Sequence, residues 1–225
     1  MTEFWLIRHG ETDWNRALRF QGQIDVPLND IGLTQAQRLC ERLRHGLSRD
    51  RTDDGRPVRV VSSDLLRARQ TAEPLAEQLG RVCESEAGLR EQCFGVFEGL
   101  DVAQIQAAHA AHWQRWLDFD ADHAVPGAES TRDFHARVMD ALARLAERFA
   151  GERVVVVTHG GVLDMVWRQA QGHSLHGPRV CDIPNAGLNQ VRYSTDALHI
   201  LRWADTQHLH DMPPQPVYRQ TRLKA

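Results

Sequence analysis

The sequence predicts an α/β fold built on a mostly parallel sheet, and three observations carry that reading. Short apolar runs of strand length alternate with longer stretches of helical period along most of the 225 residues. Residues 154–157 are four consecutive valines, the pattern of a strand buried on both faces, as parallel sheets require. Two of the apolar runs lead, after one intervening residue, into His-Gly, at His9-Gly10 and at His159-Gly160, each a turn out of a strand.

The elements follow in order. Residues 4–7 (FWLI) read as a buried strand ending at Arg8-His9-Gly10. Thr34, with Gln37 completing a capping box, is expected to open a helix whose apolar face is Ala36, Leu39, Cys40, Leu43 and Leu47. Residues 48–57 (SRDRTDDGRP) read as a polar surface loop. Val58, Val60 and Val61 form a second strand leading into Ser62-Ser63-Asp64. Residues 65–79 read as a helix that Pro74 should kink or restart, because proline removes a backbone donor.

Residues 82–85 suit a short edge strand, and 101–117 one amphipathic helix carrying Val102, Ile105, Trp113, Trp116 and Leu117 on one side. After a loop at 118–129, Ser130 with Asp133 caps the helix with the clearest period, striped by Phe134, Val138, Ala141, Leu142, Leu145 and Phe149. The valine strand feeds Thr158-His159-Gly160-Gly161 and a helix to about Gln171. Residues 188–193 and 198–203 read as a final antiparallel pair joined at Ser194-Thr195-Asp196, and the proline-containing stretch 205–225 as a wrapped or disordered tail. With no repeat and no linker, the chain is expected to be one domain, 1–225, with about 95–130 as a small helical insertion over it.

Composition narrows the function classes. Charged residues at 25% and hydrophobic residues at 42% describe a globular chain, and a net charge of −3 without basic runs offers no footprint for nucleic acid or an anionic membrane. No apolar stretch approaches the roughly 18 residues of a membrane span, and the N-terminus has no signal-peptide pattern. Cys40, Cys83, Cys93 and Cys181 are scattered without a C-x-x-C pair, which fits reduced thiols and a cytoplasmic location. Exposed edge strands make a homodimer plausible.

Three strand ends carry the chemistry. The first ends in Arg8-His9-Gly10-Glu11, the second in Ser62-Ser63-Asp64 with Arg67 one turn later, the third in His159-Gly160-Gly161. Ligands of open α/β sheets sit at the carboxyl ends of the strands, so two histidines and two arginines converge on one spot. Singly, a strand-end histidine is most often a hydrogen-bonded core residue and an arginine a solvated charge. Together they suit a tetrahedral, multiply anionic group, and phosphate is the usual one.

The ordered residues Leu6-Ile7-Arg8-His9-Gly10-Glu11-Thr12, Asn15, Gln21-Gly22, Gly32-Leu33-Thr34, Ser62-Ser63-Asp64-Leu65-Leu66-Arg67-Ala68, Leu89-Arg90-Glu91, Phe94-Gly95, Glu98-Gly99 and Thr158-His159-Gly160-Gly161 resemble the histidine phosphatase superfamily, in its phosphoglycerate mutase-like branch. The resemblance spans about residues 3–205. It implies a three-layer α/β/α fold with a mostly parallel central sheet. It implies His9 as the nucleophile forming a phosphohistidine, Arg8, Arg67 and His159 as holders of the phosphoryl oxygens, and Glu91 as general acid. It also implies phosphate or substrate contacts from Asn15, Gln21, Gly22 and Gly160. No metal and no other cofactor is expected, since guanidinium and imidazole groups would neutralise the phosphate, and the partner is a small phosphorylated metabolite. His109 with His112, and His208 with His210, are read as solvated residues rather than ligands.

The resemblance also points to hydrolysis. A cofactor-dependent phosphoglycerate mutase carries a lysine and an Arg-Arg pair downstream of its acid; here those offsets land on Val102 and on Asp118-Phe119. Residues 95–130 hold no lysine and no Arg-Arg, and Lys224 is the only lysine of the chain. A mutase and a non-catalytic phosphate-binding regulator are the alternatives. Trp113, Trp116 and Phe119 are read as packing the base of the insertion rather than lining a pocket, and Glu129 as a helix cap.

Overall fold

The computed structural model describes residues 1–53, 58–194 and 197–216, with the backbone alone for 45–53. The chain begins with strand β1 (Thr2–Arg8), a single-turn helix α1 (Asp13–Arg16) and the long helix α2 (Asp30–Asp53). Strand β2 (Val58–Ser62), helix α3 (Leu66–Gln78) and the short strand β3 (Cys83–Ser85) follow. Two short helices, α4 (Val102–Ala108) and α5 (Ala110–Trp116), precede helix α6 (Thr131–Arg148). Strand β4 (Arg153–Thr158) leads into helix α7 (Gly160–Gln171), and strands β5 (Leu188–Ser194) and β6 (Ala197–Asp205) close the fold.

The strands form one sheet in the order β3-β2-β4-β1-β5-β6. The first four in that order run parallel, β5 pairs antiparallel with β1 and β6 antiparallel with β5, the mostly parallel α/β architecture expected. Alternation along the strands separates two apolar cores. Phe4, Leu6, Val154 and Val156 pack with Phe134, Val138, Leu142, Leu163 and Val166 of α6 and α7 on one face. Trp5, Ile7, Val155 and Val157 pack with Leu39, Leu43, Ala72 and Leu75 of α2 and α3 on the other. All four valines are at most 1% exposed, as a strand covered on both faces requires. A third cluster gathers Phe20, Phe97, Ile105, Trp113, Leu117 and Val125 beside the sheet.

Several local expectations are corrected. Helix α2 opens at Asp30, and Thr34 lies inside it, donating to the Asp30 carbonyl. The side chain of Asn29 takes the capping place by accepting the Gly32 amide at 2.9 Å. Gly32 belongs to the helix because a Cβ there would stand 2.1 Å from the Glu11 carbonyl oxygen, so glycine marks a close approach rather than a break. The same helix runs through Asp53, into the stretch expected to be a loop, and Asp54-Gly55-Arg56-Pro57 lie outside the described residues. Helix α3 continues through Pro74, as burial of Ala72, Leu75 and Ala76 outweighs the lost donor.

The expected single helix over 101–117 is two, interrupted at His109 (φ −137°, ψ 38°). Ser130 caps α6 by accepting the Asp133 amide. The joint of β5 and β6 at Thr195-Asp196, the end of the tail and Lys224 lie outside the described residues. Up to Pro216 the tail wraps back onto the domain, with Gln215 bonded to Asn185. Among the described residues no helix is long and apolar enough to cross a membrane.

Candidate active site

The register of β1 on β4 assembles the site. Arg8 pairs with Thr158, so the next residues, His9 and His159, stand beside each other at the carboxyl ends of neighbouring strands. The His9 amide donates to the Thr158 carbonyl at 2.8 Å, and the two imidazole centroids lie 5.2 Å apart. Ser63 continues β2 by donating to Val157, which brings α3 and its Arg67 to the same edge. The result is an open cleft of about 850 Å³ whose walls include Arg8, His9, Asn15, Gln21, Gly22, Arg67, Glu91 and Gly160.

His9 is 3% exposed and its Nδ1 lies 2.7 Å from the Gly10 carbonyl oxygen, which can only accept. The proton therefore sits on Nδ1 and the lone pair on Nε2. Burial, then Arg67 and Arg8, push the His9 pKa well below its usual value, so the ring is neutral. His159 is fully buried behind His9 rather than in the cleft wall. Its pKa is also well below normal, through burial and then Arg67. Neither of its ring nitrogens has a hydrogen-bond partner among the described residues.

The two arginines are held by backbone carbonyls. Arg8 Nη1 donates to Ile183 at 2.7 Å, while Arg67 Nη1 and Nη2 donate to Ile24 and Gly22 at 2.8 and 2.7 Å. The Nε of each is buried without a partner. Burial lowers both to about 10, helped at Arg8 by the neighbouring Arg179 guanidinium, so both stay charged at neutral pH. Orphaned buried donors of this kind are costly unless something accepts from them, and an oxyanion is the acceptor their charge favours.

Glu91 follows Leu89, which is fully buried and whose carbonyl accepts Thr158 Oγ1. Its carboxylate accepts the Gly161 amide at the start of α7. Asn15 closes the capping box of α1 with Thr12, and its Oδ1 also accepts from Asn185. Gln21 Oε1 accepts from Thr12 Oγ1. Gly22 has φ +50°, and a Cβ would lie 1.9 Å from Glu98 Oε1, so its identity is set by backbone and space.

The structure adds residues that sequence patterning did not single out. Arg179 lines the cleft beside Gly160, and Asn185 donates to the His9 and Gly10 carbonyls. Both lie in the irregular stretch between α7 and β5, where no period marks them. Arg137 donates to the Gly88, Arg90 and Glu91 carbonyls and pairs with Glu129, which also accepts the Cys93 amide. Glu129 therefore braces the Glu91 loop rather than capping a helix, a role Ser130 fills. Trp113 is fully buried and Trp116 and Phe119 pack against its cluster as expected, while Trp116 also borders the cleft and Phe119 a small neighbouring cavity.

The remaining histidines are also partly corrected. His109 is half-buried with its ring 6.2 Å from that of Phe97, and His208 is half-buried between Arg42 and the Ala186 carbonyl. Neither histidine pair belongs to a metal-competent cluster. Among the described residues such a grouping occurs at Asp120, Asp122 and His176, where both carboxylates already pair with arginines.

Known proteins resemble this chain over most of its length. The chain is 37% identical over 212 residues to a metal-independent phosphoserine phosphatase of Arabidopsis thaliana, covering 93% of this chain and 84% of that one. It is 32% identical over 220 residues to a probable phosphoglycerate mutase, GpmB, of Yersinia pestis, covering 95% and 97%. Among solved structures it resembles the mycobacterial glucosyl-3-phosphoglycerate phosphatase complexed with VO3, with a TM-score of 0.75 at 30% identity over 91% of this chain and 99% of that one. The family model of the histidine phosphatase superfamily (branch 1) matches residues 4–206, and the chain belongs to that superfamily.

Proposed function

We propose that this chain is a metal-independent phosphomonoester hydrolase acting on a small phosphorylated metabolite through a phosphohistidine intermediate. The observation that carries the reading is His9. It is a neutral imidazole with its proton committed to Gly10, placed among buried, partly unpartnered guanidinium groups. His9 Nε2 attacks phosphorus, the phosphorus–ester oxygen bond breaks, and Glu91 delivers its proton to the leaving alkoxide. Water then attacks the phosphohistidine, Glu91 takes a proton from it, the phosphorus–nitrogen bond breaks and inorganic phosphate leaves. Arg8, Arg67, His159, Asn15 and the Gly160 amide hold the phosphoryl oxygens as charge shifts between them. Gln21 and Gly22 border the substrate.

Hydrolysis is favoured over transfer to a second hydroxyl because the basic residue nearest the expected mutase clamp, Arg115, pairs with Asp118 and Asp120 on the surface. Residues 95–130 serve as an insertion that narrows the cleft within a single domain. Four free thiols fit a reducing cytoplasm.

The test is phosphate release by the purified protein, with EDTA, from a phosphomonoester panel and from 3-phosphoglycerate with and without 2,3-bisphosphoglycerate. Release that requires His9, together with acid-labile, base-stable phosphate trapped on the protein but not on His9→Ala, is the expected result. Isomerisation of 3-phosphoglycerate without net release would make the protein a mutase. No release and no trapped phosphate would leave a phosphate-binding regulator instead.

A further inference from the structure

Arg179 is a third guanidinium at the cleft. A Cβ built on Gly160 would lie 3.5 Å from both Arg179 Nη1 and Arg8 Nε, so those two cationic nitrogens are at most twice that distance apart. Arg179 retains partial access to solvent, with 20% of its side chain exposed, whereas Arg67 is fully buried.

The mounting of Arg179 is unusually firm for a loop residue. Arg168, only 3% exposed, devotes its guanidinium to the segment just before it, donating to the carbonyls of Ser174, Gly177 and Pro178. Asp164 orients Arg168 at 3.1 Å and stands 3.9 Å from Arg179 Nε. A buried ion pair thus fixes the loop whose next residue enters the cleft, which is the support a residue that reads a ligand needs.

Resting on the phosphatase reading above, we propose that Arg179 is a specificity residue that binds a carboxylate carried by the substrate a few bonds from its phosphate ester. The transferring phosphoryl group has three terminal oxygens. Arg8, Arg67 and the start of α7 border the cleft as donors for these oxygens, so Arg179 is surplus to that group. It lines the cleft beside Gly160 with a fifth of its side chain exposed, so it is open to a group that extends from the phosphoryl site toward solvent. Asp164 partly balances its charge, which matches a monoanionic carboxylate better than a second phosphate dianion, and the planar guanidinium suits a carboxylate fork. Arg19, the remaining cation of the cleft wall, is turned to the Gly99 carbonyl and the Trp14 ring.

The experiment compares O-phosphoserine with O-phosphoethanolamine, which keeps the ester and the amine but lacks the carboxylate. In Arg179→Gln the ratio of kcat/KM for the two esters should fall about 30-fold from its wild-type value, chiefly through the KM of phosphoserine, and Arg179→Lys should restore part of it. The same ratio is read without chemistry by calorimetric binding of both esters to His9→Ala with and without Arg179→Gln. An equal loss on both esters would make Arg179 a phosphoryl contact and overturn the proposal, as would an unchanged ratio. A bisphosphorylated sugar losing more than phosphoserine would also overturn it. If no ester is hydrolysed but the binding ratio still collapses, the phosphatase reading fails while the carboxylate site stands.

Discussion

Glu91 and Gly161 meet through a three-centre hydrogen bond: the Gly161 amide donates to both carboxylate oxygens of Glu91, at 3.0 and 3.1 Å. The Gln92 amide adds a second donor at 2.9 Å. The carboxylate is therefore held by backbone, from its own loop and from the first turn of α7, in the wall of the cleft that His9 lines.

This relationship predicts the effect of one methyl group. A Cβ at position 161 would lie 2.2 Å from Glu91 Oε1 and 3.0 Å from Phe134 Cε1. Gly161→Ala should displace Glu91 and lower kcat on alkyl phosphates at least tenfold, with a smaller loss on p-nitrophenyl phosphate, whose leaving group needs no proton. Overpacking against Phe134 should also cost about 1–3 kcal/mol of stability in a denaturant titration. Equal losses on the two substrates would argue against Glu91 as proton donor.

The acid limb of activity should lie low. In the proposed mechanism only neutral His9 can attack phosphorus, and burial, Arg67 and Arg8 hold its pKa well below 6.5. Protonation removes the nucleophile only as the pH falls through that lowered value. The kcat profile from about pH 4.5 to about 8 should therefore show no histidine-like step near 6.5 on its acid side. A step there in kcat, where titration of the free ester does not enter, would contradict the neutral, buried ring.

Stability should carry a histidine signature of its own at His208. Its Nδ1 lies 3.2 Å from Arg42 Nη1 and its Nε2 3.0 Å from the Ala186 carbonyl oxygen, so the neutral ring accepts from one and donates to the other. Burial, then Arg42, lowers its pKa from 6.5 to about 4, with Ala186 and Asp205 opposing. Because folding lowers this pKa, the unfolded chain binds the proton more readily. The contribution is intact above about pH 6.5 and is lost as the pH falls toward about 4. Roughly 1–2 kcal/mol of the acid destabilisation should disappear in His208→Gln, once solvent screening of the partly exposed ring is allowed for. Urea midpoints at about pH 7.5 and about pH 5 measure it; an identical acid loss in both proteins would refute it.

Asn185 should matter more than its place in an irregular loop suggests. Its side-chain amide donates to the His9 carbonyl at 2.9 Å and to the Gly10 carbonyl and Asn15 Oδ1 at 3.3 Å, while Gln215 brackets its backbone with two further bonds. Asn185→Ala removes a buried donor shared by the His9 and Gly10 carbonyls and Asn15 Oδ1. It should cost about 1–3 kcal/mol and lower kcat about tenfold on all phosphomonoesters alike. A loss confined to KM of one substrate would show that Asn185 reads the substrate instead.

The motif-bearing strand ends were legible in the sequence because local pattern and chemistry coincide there. Alternating apolar runs specify β1, β2 and β4, and the residues after them have no room to be anything but strand-end groups of a parallel sheet. Arg8, His9, Arg67, Glu91 and Gly160 consequently reach one cleft, with His159 just behind. The α6 stripe and the Ser130 cap were equally local and were read correctly.

What the tertiary structure alone decided depends on contacts between segments far apart in the chain. Gly32 belongs inside a helix because Glu11 passes over it, and Pro74 is tolerated because its helix is buried on the sheet. Trp116 turns to the cleft while Trp113, on the same amphipathic stretch, fills the core. Arg179, Asn185, Arg137 and Glu129 gain their places through hydrogen bonds and ion pairs across long sequence separations. Hydrophobic period reports which face of an element is buried. It carries no information about which polar side chain a distant loop will present to that element's end, and that choice shapes the substrate side of this site.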